Sequence, residues 1–434
     1  MQTNGSVGSS SQVYSDPMRW WLSVVVLVVG CTGSITDGSG RDSGPGGSMD
    51  AGDAPPGTDA GDVQPGTDAG PGMMGFDAGS CAGGLVDGFS TTPVSGLGGG
   101  AVHAAATATG LVVVTWGGGG VTVTELGLDG SAGASHAVDG NRAWGIARAD
   151  DGATGVLVDR ASDELWAVVL EPDGSTRFEQ RLLGGVSHDV TENEWFGTGI
   201  RAGRMSWDGA QWVTYHTVQR LWDDGVAHYG DTLRFLDATT GAQGGGGWSW
   251  GCSHSMAVGL AENASGTGAV CVSDCFPGKG VYFSHRTELF EDPSGDCRGR
   301  IDTQLGGIAP TGGGFLIAFA TPHTRSGADV ALVHAGDDRS VGEPIWLTDD
   351  AAADSDVCIA EFDGGALVGW SAGGVDRLAH VDASGAVVEG PVDAPGAGLS
   401  GASDFVALPG GGVAWVSVGG GSATLAQVYP CEER

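Results

Sequence analysis

From residue 81 onward the chain alternates short apolar runs with Gly- and Asp-rich breaks, and no ten-residue stretch keeps a clean helical period. Seven times a Gly-bearing turn opens a strongly apolar run: Gly110 to Val114, Gly152 to Val158, Gly209 to Val213, Gly266 to Val272, Gly312 to Ile317, Gly364 to Val368 and Gly411 to Trp415. These openings recur about every 50 residues. Several are followed by a strand that ends in an Asp-Gly type turn, as in Leu128-Asp129-Gly130, Pro172-Asp173-Gly174, Asp237 to Gly241 and Asp382 to Gly385. Such turns supply the positive φ that a tight hairpin demands. The pattern predicts an all-β region built of repeated small sheets.

A repeat of this length resembles the blades of a seven-bladed β-propeller, and the resemblance covers residues 81 to 434 without assigning a named family. One four-stranded sheet cannot cover both of its apolar faces, whereas seven stacked radially bury each face against the next. The last repeat has too few residues before Arg434 for four strands, so the segment from Leu85 to Val94 is expected to supply the outermost one. That closure would set Cys81 beside Cys431. Six or eight blades also fit the spacing, while two packed sandwiches would leave the period without a cause.

The start of the chain carries a different pattern. Trp20 to Val29 is an apolar run preceded by Arg19, too short to span a hydrocarbon core about 30 Å thick and suited to a signal-peptide core. Leu27-Val28-Val29-Gly30-Cys31 resembles the lipobox of bacterial lipoproteins, which implies cleavage before Cys31 and its lipidation. Residues 1–30 then form the signal peptide, with Met18 the more economical start because residues 1–17 carry no basic side chain. The residue after the cysteine is Thr32 rather than Asp, which in that family implies the outer membrane, facing the periplasm or the cell surface. Residues 31–80 have 14 Gly, 5 Pro and 8 Asp against one Arg, with little to bury, and are expected to be a disordered tether. As a flexible coil it would hold the next domain on the order of 40 Å away.

Composition narrows the function. The 434 residues carry 19 basic and 53 acidic side chains, a net charge of −34, and 82 glycines without a collagen period. That field repels phosphate, so nucleic acid is not an expected partner. The seven cysteines after Cys31 belong to an exported chain and default to disulfides. Cys271 and Cys275 share parity on one strand and are expected to bond outward to Cys252 and Cys297. The cluster lacks the Cys-x2-Cys knuckles of structural zinc sites. Cys358, in an apolar strand, is expected to be a buried thiol outside the bridges.

Two segments around the third repeat, Gly185 to Gly199 and Gln219 to Asp231, read as long irregular insertions rich in aromatics and acids. They carry the candidate ligand-binding residues His188, Asp189, Glu192, Trp195, Trp222, Asp223, Asp224, His228 and Tyr229, with Glu194 and Asp231 alongside. Rings beside carboxylates suit sugars, and clustered carboxylates suit Ca2+, although no cofactor is required. The same residues could equally cap a blade and face solvent. A second aromatic stretch, Trp248 to His254, lacks a Gly-x-Ser-x-Gly elbow, so His254 is expected to be structural. Ser206 to Trp212 resembles the Asp-box of sialidase propellers, without an arginine triad beside it, and Leu236 to Gly241 with Trp248 resembles a quinoprotein repeat. Each occurs once, as a hairpin any propeller could contain. The reading that results is a membrane-anchored envelope lipoprotein whose propeller binds a glycan, a peptide or an envelope protein. Two alternatives are a secreted glycan-acting enzyme using loop carboxylates, which needs two of them about 5 to 10 Å apart, and a structural scaffold of an envelope complex.

Overall fold

In the computed structural model the described residues are 84–430, apart from 98–99, 119, 161–162, 185–193, 198–200, 223–224, 277, 294–300, 323–326, 402–403 and 420. Each Gly-initiated apolar run becomes the second strand of an antiparallel sheet. The first blade is Ala101–Ala106, Gly110–Gly117, Gly120–Gly127 and Ala132–Val138, and the second is Arg142–Arg148, Thr154–Arg160, Glu164–Leu170 and Thr176–Leu183. Blades four to six repeat that order, starting from the inner strands Ser253–Asn263, Gln304–Thr311 and Asp354–Phe362. The runs are continuous rather than alternating because these strands are covered on both faces, as Gly314–Pro322 is along nearly its whole length.

The seventh blade draws on both ends of the described chain. Phe89–Val94 pairs antiparallel with Ser422–Val428, Phe89 opposite Val428 and Val94 opposite Ala423, while Val413–Gly419 and Val406–Ala407 complete the sheet inward. Seven blades are therefore formed, and the early segment closes the last of them as its spacing predicted. An apolar cluster fills each blade interface. Trp144, Leu157, Met205 and Trp212 join blades two and three, and Val113, Leu126, Val416 and Leu425 join blade one to blade seven. Burying a ring the size of Trp212 is worth several kcal/mol, and truncating it to alanine costs about 3 to 5 kcal/mol.

Blade three departs from the pattern. Its hairpin, Gln211–Leu221 with Ala227–Asp237, is paired without a slip from Gln211↔Asp237 to Leu221↔Ala227. Gln219 to Asp231, read from sequence as an irregular insertion, is thus mostly regular ladder that overshoots its inner strand Gly203–Trp207. Glu194–Trp195 fills the overhang by pairing with Arg220 and Gln219. The outer edge is only two isolated bridges, Leu233↔Trp248 and Leu236↔Gln243, because the glycines 244 to 247 offer no side chains to pack there.

Cys252 and Cys271 form a disulfide that ties the start of blade four to its second strand, one of the two pairings that strand parity leaves open. Cys275 is also disulfide-bonded. Cys358 is a buried thiol against the Asp356 and Ser400 carbonyls. Cys31, Cys81, Cys297 and Cys431 lie outside the described residues, as do the signal and tether segments.

Candidate functional site

The first strands of the blades surround a central cavity of about 370 Å3. In a four-stranded antiparallel blade the first strand begins, and the second-to-third hairpin turns, at the same rim. The cavity's charged residues belong to that rim. His103 sits near the start of the blade-one inner strand, Arg142 opens that of blade two, Arg201 and Arg204 open blade three, and Asp404 precedes that of blade seven. A bulge between Ala143 and Gly145 breaks the register where Trp144 turns inward. Gly145 is required there, since a Cβ would lie 2.9 Å from the Met205 nitrogen of the next blade.

The arginines differ in use. The Arg142 guanidinium lies 4.1 Å from the ring centre of Trp144 and 5.5 Å from that of Trp116, with no ion pair among the described residues. Arg201 is committed: it lies 3.1 Å from Asp159 and 3.6 Å from Asp163, both buried, and donates to the carbonyls of Phe196 and Gly197. Burial pushes the Asp159 carboxyl above its ordinary range, with Arg201 opposing. Arg204 stands between these roles, 3.7 Å from Asp404. Asp404 also meets His103 Nδ1 at 2.8 Å, and His103 stacks on Trp116 at 5.3 Å. Burial raises the Asp404 carboxyl, but His103 and Arg204 outweigh it and hold the group below the usual carboxylate range. The cavity mouth thus offers one exposed cation on two indole faces beside a neutralised acid. It can take a flat, partly apolar anion.

None of these residues was singled out from sequence, because they span positions 103 to 404 and meet only when the ring closes. The available signal was rarity. In a chain with 19 basic residues, Arg142-x-Trp144 and Arg201-x2-Arg204 open two successive inner strands.

The residues expected to bind ligand divide. Trp195 donates its indole N–H to Gln219 at 2.9 Å, Glu194 pairs with Arg220 and Arg234, and Tyr229 packs beside Gly197. Asp231 is fully buried, accepting from the Trp248 indole and the Cys252 amide at 2.8 Å each. It lies near the sulfurs of Cys252 and Cys271, but their disulfide leaves no thiolate for a metal. Trp222 is 42% exposed on the hairpin tip, edge-on to Trp250 at 5.5 Å and 6.4 Å from His228, and Arg220 lies over both indoles. His188, Asp189, Glu192, Asp223 and Asp224 lie outside the described residues. His254 contacts His228 and Asp274. Of the candidate acids that are described, both are consumed by internal contacts.

No protein-family model and no curated protein matches the chain. Among solved structures it is similar to the β-propeller domain of Cps50 (Swd1) from Myceliophteria thermophila, at 11% identity and TM-score 0.46, covering 77% of this chain and 99% of that one. It is also similar to the WD40 domain of Toxoplasma gondii coronin, at 9% identity and TM-score 0.45, covering 80% and 87%. A third similarity is to PQQ-bound aldose sugar dehydrogenase from Streptomyces coelicolor, at 13% identity and TM-score 0.35, covering 66% and 93%. At these values the comparisons carry no functional argument. The ring itself is defined by the strand pairing above.

Proposed function

We propose that this protein is a binding module of the cell envelope, tethered to the outer membrane through Cys31, whose propeller holds a carboxylate-bearing glycan at the mouth of its central cavity. The observation that carries the reading is Arg142, a guanidinium without an acidic partner among the described residues, laid on Trp144 and Trp116 at the edge of a 370 Å3 cavity in a chain of net charge −34. The general field of such a chain repels anions, so a guanidinium outside ion-pair distance of every described carboxylate, although it feels the charge of Asp159 across its strand pair, has a selective use. The indoles beneath it fix the plane of the guanidinium, which receives a carboxylate through paired N–H donors. The enzyme alternative gains no support here: among the described residues lining the cavity Asp404 is the one carboxylate, where glycoside cleavage uses a pair.

The test is a thermal-unfolding screen of the disulfide-intact chain against acidic and neutral oligosaccharides, since a ligand bound only by the folded state raises its stability. Acidic members should raise the midpoint in wild type and fail to do so in Arg142→Ala. An equal response to neutral members, or none to any, would remove the proposal. For the tether, Cys31→Ser should move the protein from the membrane to the soluble fraction, and an unchanged distribution would overturn it.

A further inference from the structure

We propose that His228 and His254 form a binding site for a divalent transition-metal ion of the zinc or copper class, with Asp274 as the positioning residue. The site lies on the hairpins of blades three and four and does not depend on the cavity reading. His228 Nδ1 and His254 Nε2 are 3.3 Å apart. Two imidazole nitrogens at about 2.0 to 2.1 Å from one ion with a tetrahedral angle stand roughly 3.3 Å from each other. With the ring centres 5.6 Å apart the two nitrogens face each other nearly head-on, so a small tilt of the imidazoles turns both lone pairs onto an ion beside the same gap.

The histidines are built into place rather than left on a loop. His254 falls at a register shift between Ser253 and Ser255, and its φ of 56° is a left-handed conformation that few side chains adopt. Bulges and such backbone angles persist where surrounding structure over-determines them, and they re-aim a side chain. On the far side of the ring, His254 Nδ1 is 3.1 Å from Asp274 Oδ1. That contact favours the proton on Nδ1 and leaves the Nε2 lone pair toward His228, the carboxylate–histidine arrangement that orients imidazole ligands in metal sites. Asp274 Oδ1 is buried, and Lys279 opposite it across the strand pair is a second positive neighbour of the carboxylate. His228 is itself held edge-on by Trp222. Both imidazoles are half-buried rather than enclosed, so water or a ligand's oxygen would complete the shell. All-nitrogen donors select transition metals over Ca2+.

The test is a calorimetric titration of the untagged, disulfide-intact chain with Zn2+ in excess Ca2+, and electron paramagnetic resonance with Cu2+. One ion should bind per chain, with Cu2+ showing coupling to two imidazole nitrogens. His228→Gln and His254→Asn should each abolish that site, Asn being chosen because it tolerates positive φ. Asp274→Asn should weaken binding by about 10- to 100-fold. Thermal midpoints of the metal-free variants report whether the fold is kept. Absence of binding by folded wild type, binding unchanged in both histidine variants, or a Cu2+ spectrum without nitrogen coupling would each overturn the assignment.

Discussion

On one rim of the ring, where first strands turn into second and third into fourth, aspartates hold the turns. Asp129, Asp173 and Asp382 each accept the backbone N–H two residues on and the hydroxyl of Ser131, Ser175 or Ser384. Asp208 and Asp237 do the same work for their hairpins. On the opposite rim, at the mouth of the cavity, the acid Asp404 is neutralised by His103 and Arg204 while Arg142 stays unpaired among the described residues. Part of the acidic character of this chain is therefore turn chemistry, and net charge alone says little about what is bound. The informative charges are the scarce ones, and only where their neighbours do not already use them.

The difference between committed and available arginines gives the largest expected effect. Arg201→Ala should cost about 3 to 5 kcal/mol in urea unfolding, because it strands Asp159 and Asp163 as buried charges. A folded carboxyl pKa above its unfolded value stabilises below the unfolded pKa and loses that contribution as pH rises through the folded one. Asp159 is already raised by burial, so the deficit of the variant should be greatest near neutrality and shrink as pH falls toward the ordinary carboxylate range. A loss below about 1 kcal/mol would show that Arg201 is held no more firmly than a surface ion pair.

Arg142→Ala should behave oppositely. Exposed and without an ion pair among the described residues, it should cost no more than about 0.5 to 1 kcal/mol, the worth of an exposed cation–π contact and well below Arg201→Ala. Its effect should appear in acidic-glycan affinity, a loss of about tenfold or more measured by titration calorimetry. Trp116→Ala should weaken the same ligand by a smaller factor, since Trp116 sits farther from the guanidinium than Trp144 and also supports His103.

The turn rim should respond weakly and to acid. Serine hydroxyls and backbone amides hold Asp129, Asp173 and Asp382 below the usual carboxylate range. A depressed folded pKa contributes stability that is present above the unfolded value and lost as pH falls through the folded one. Unfolding midpoints measured from pH 5 to pH 2 should therefore decline, and Asp382→Ala should lower the neutral-pH midpoint slightly while leaving ligand binding unchanged.

The same contrast explains what could be read from sequence. Turns and central strands are local, so the sevenfold pattern and the closing strand Phe89–Val94 were legible, whereas strand parity left Cys271 with either Cys252 or Cys297 and only the fold chooses Cys252. The hairpin ending at Leu221 and Ala227 was mistaken for an insertion because Trp222, the acids and Gly225 look like loop chemistry, although the pairing runs right up to the turn. The cavity could not be read at all, since His103 and Asp404 become neighbours only through closure of the ring. Nor could the bulge that turns His254 toward His228, because the alternation after it looks like an ordinary strand.

The cavity reading stands or falls on one titration, that of an acidic oligosaccharide such as oligogalacturonate into the disulfide-intact chain and into Arg142→Ala, with the neutral oligomer of matched length as control. The account predicts a single binding event for the acidic oligomer in wild type, at least about tenfold weaker in the variant, and none for the neutral one. Equal binding by wild type and variant, or no acidic binding at all, would contradict it.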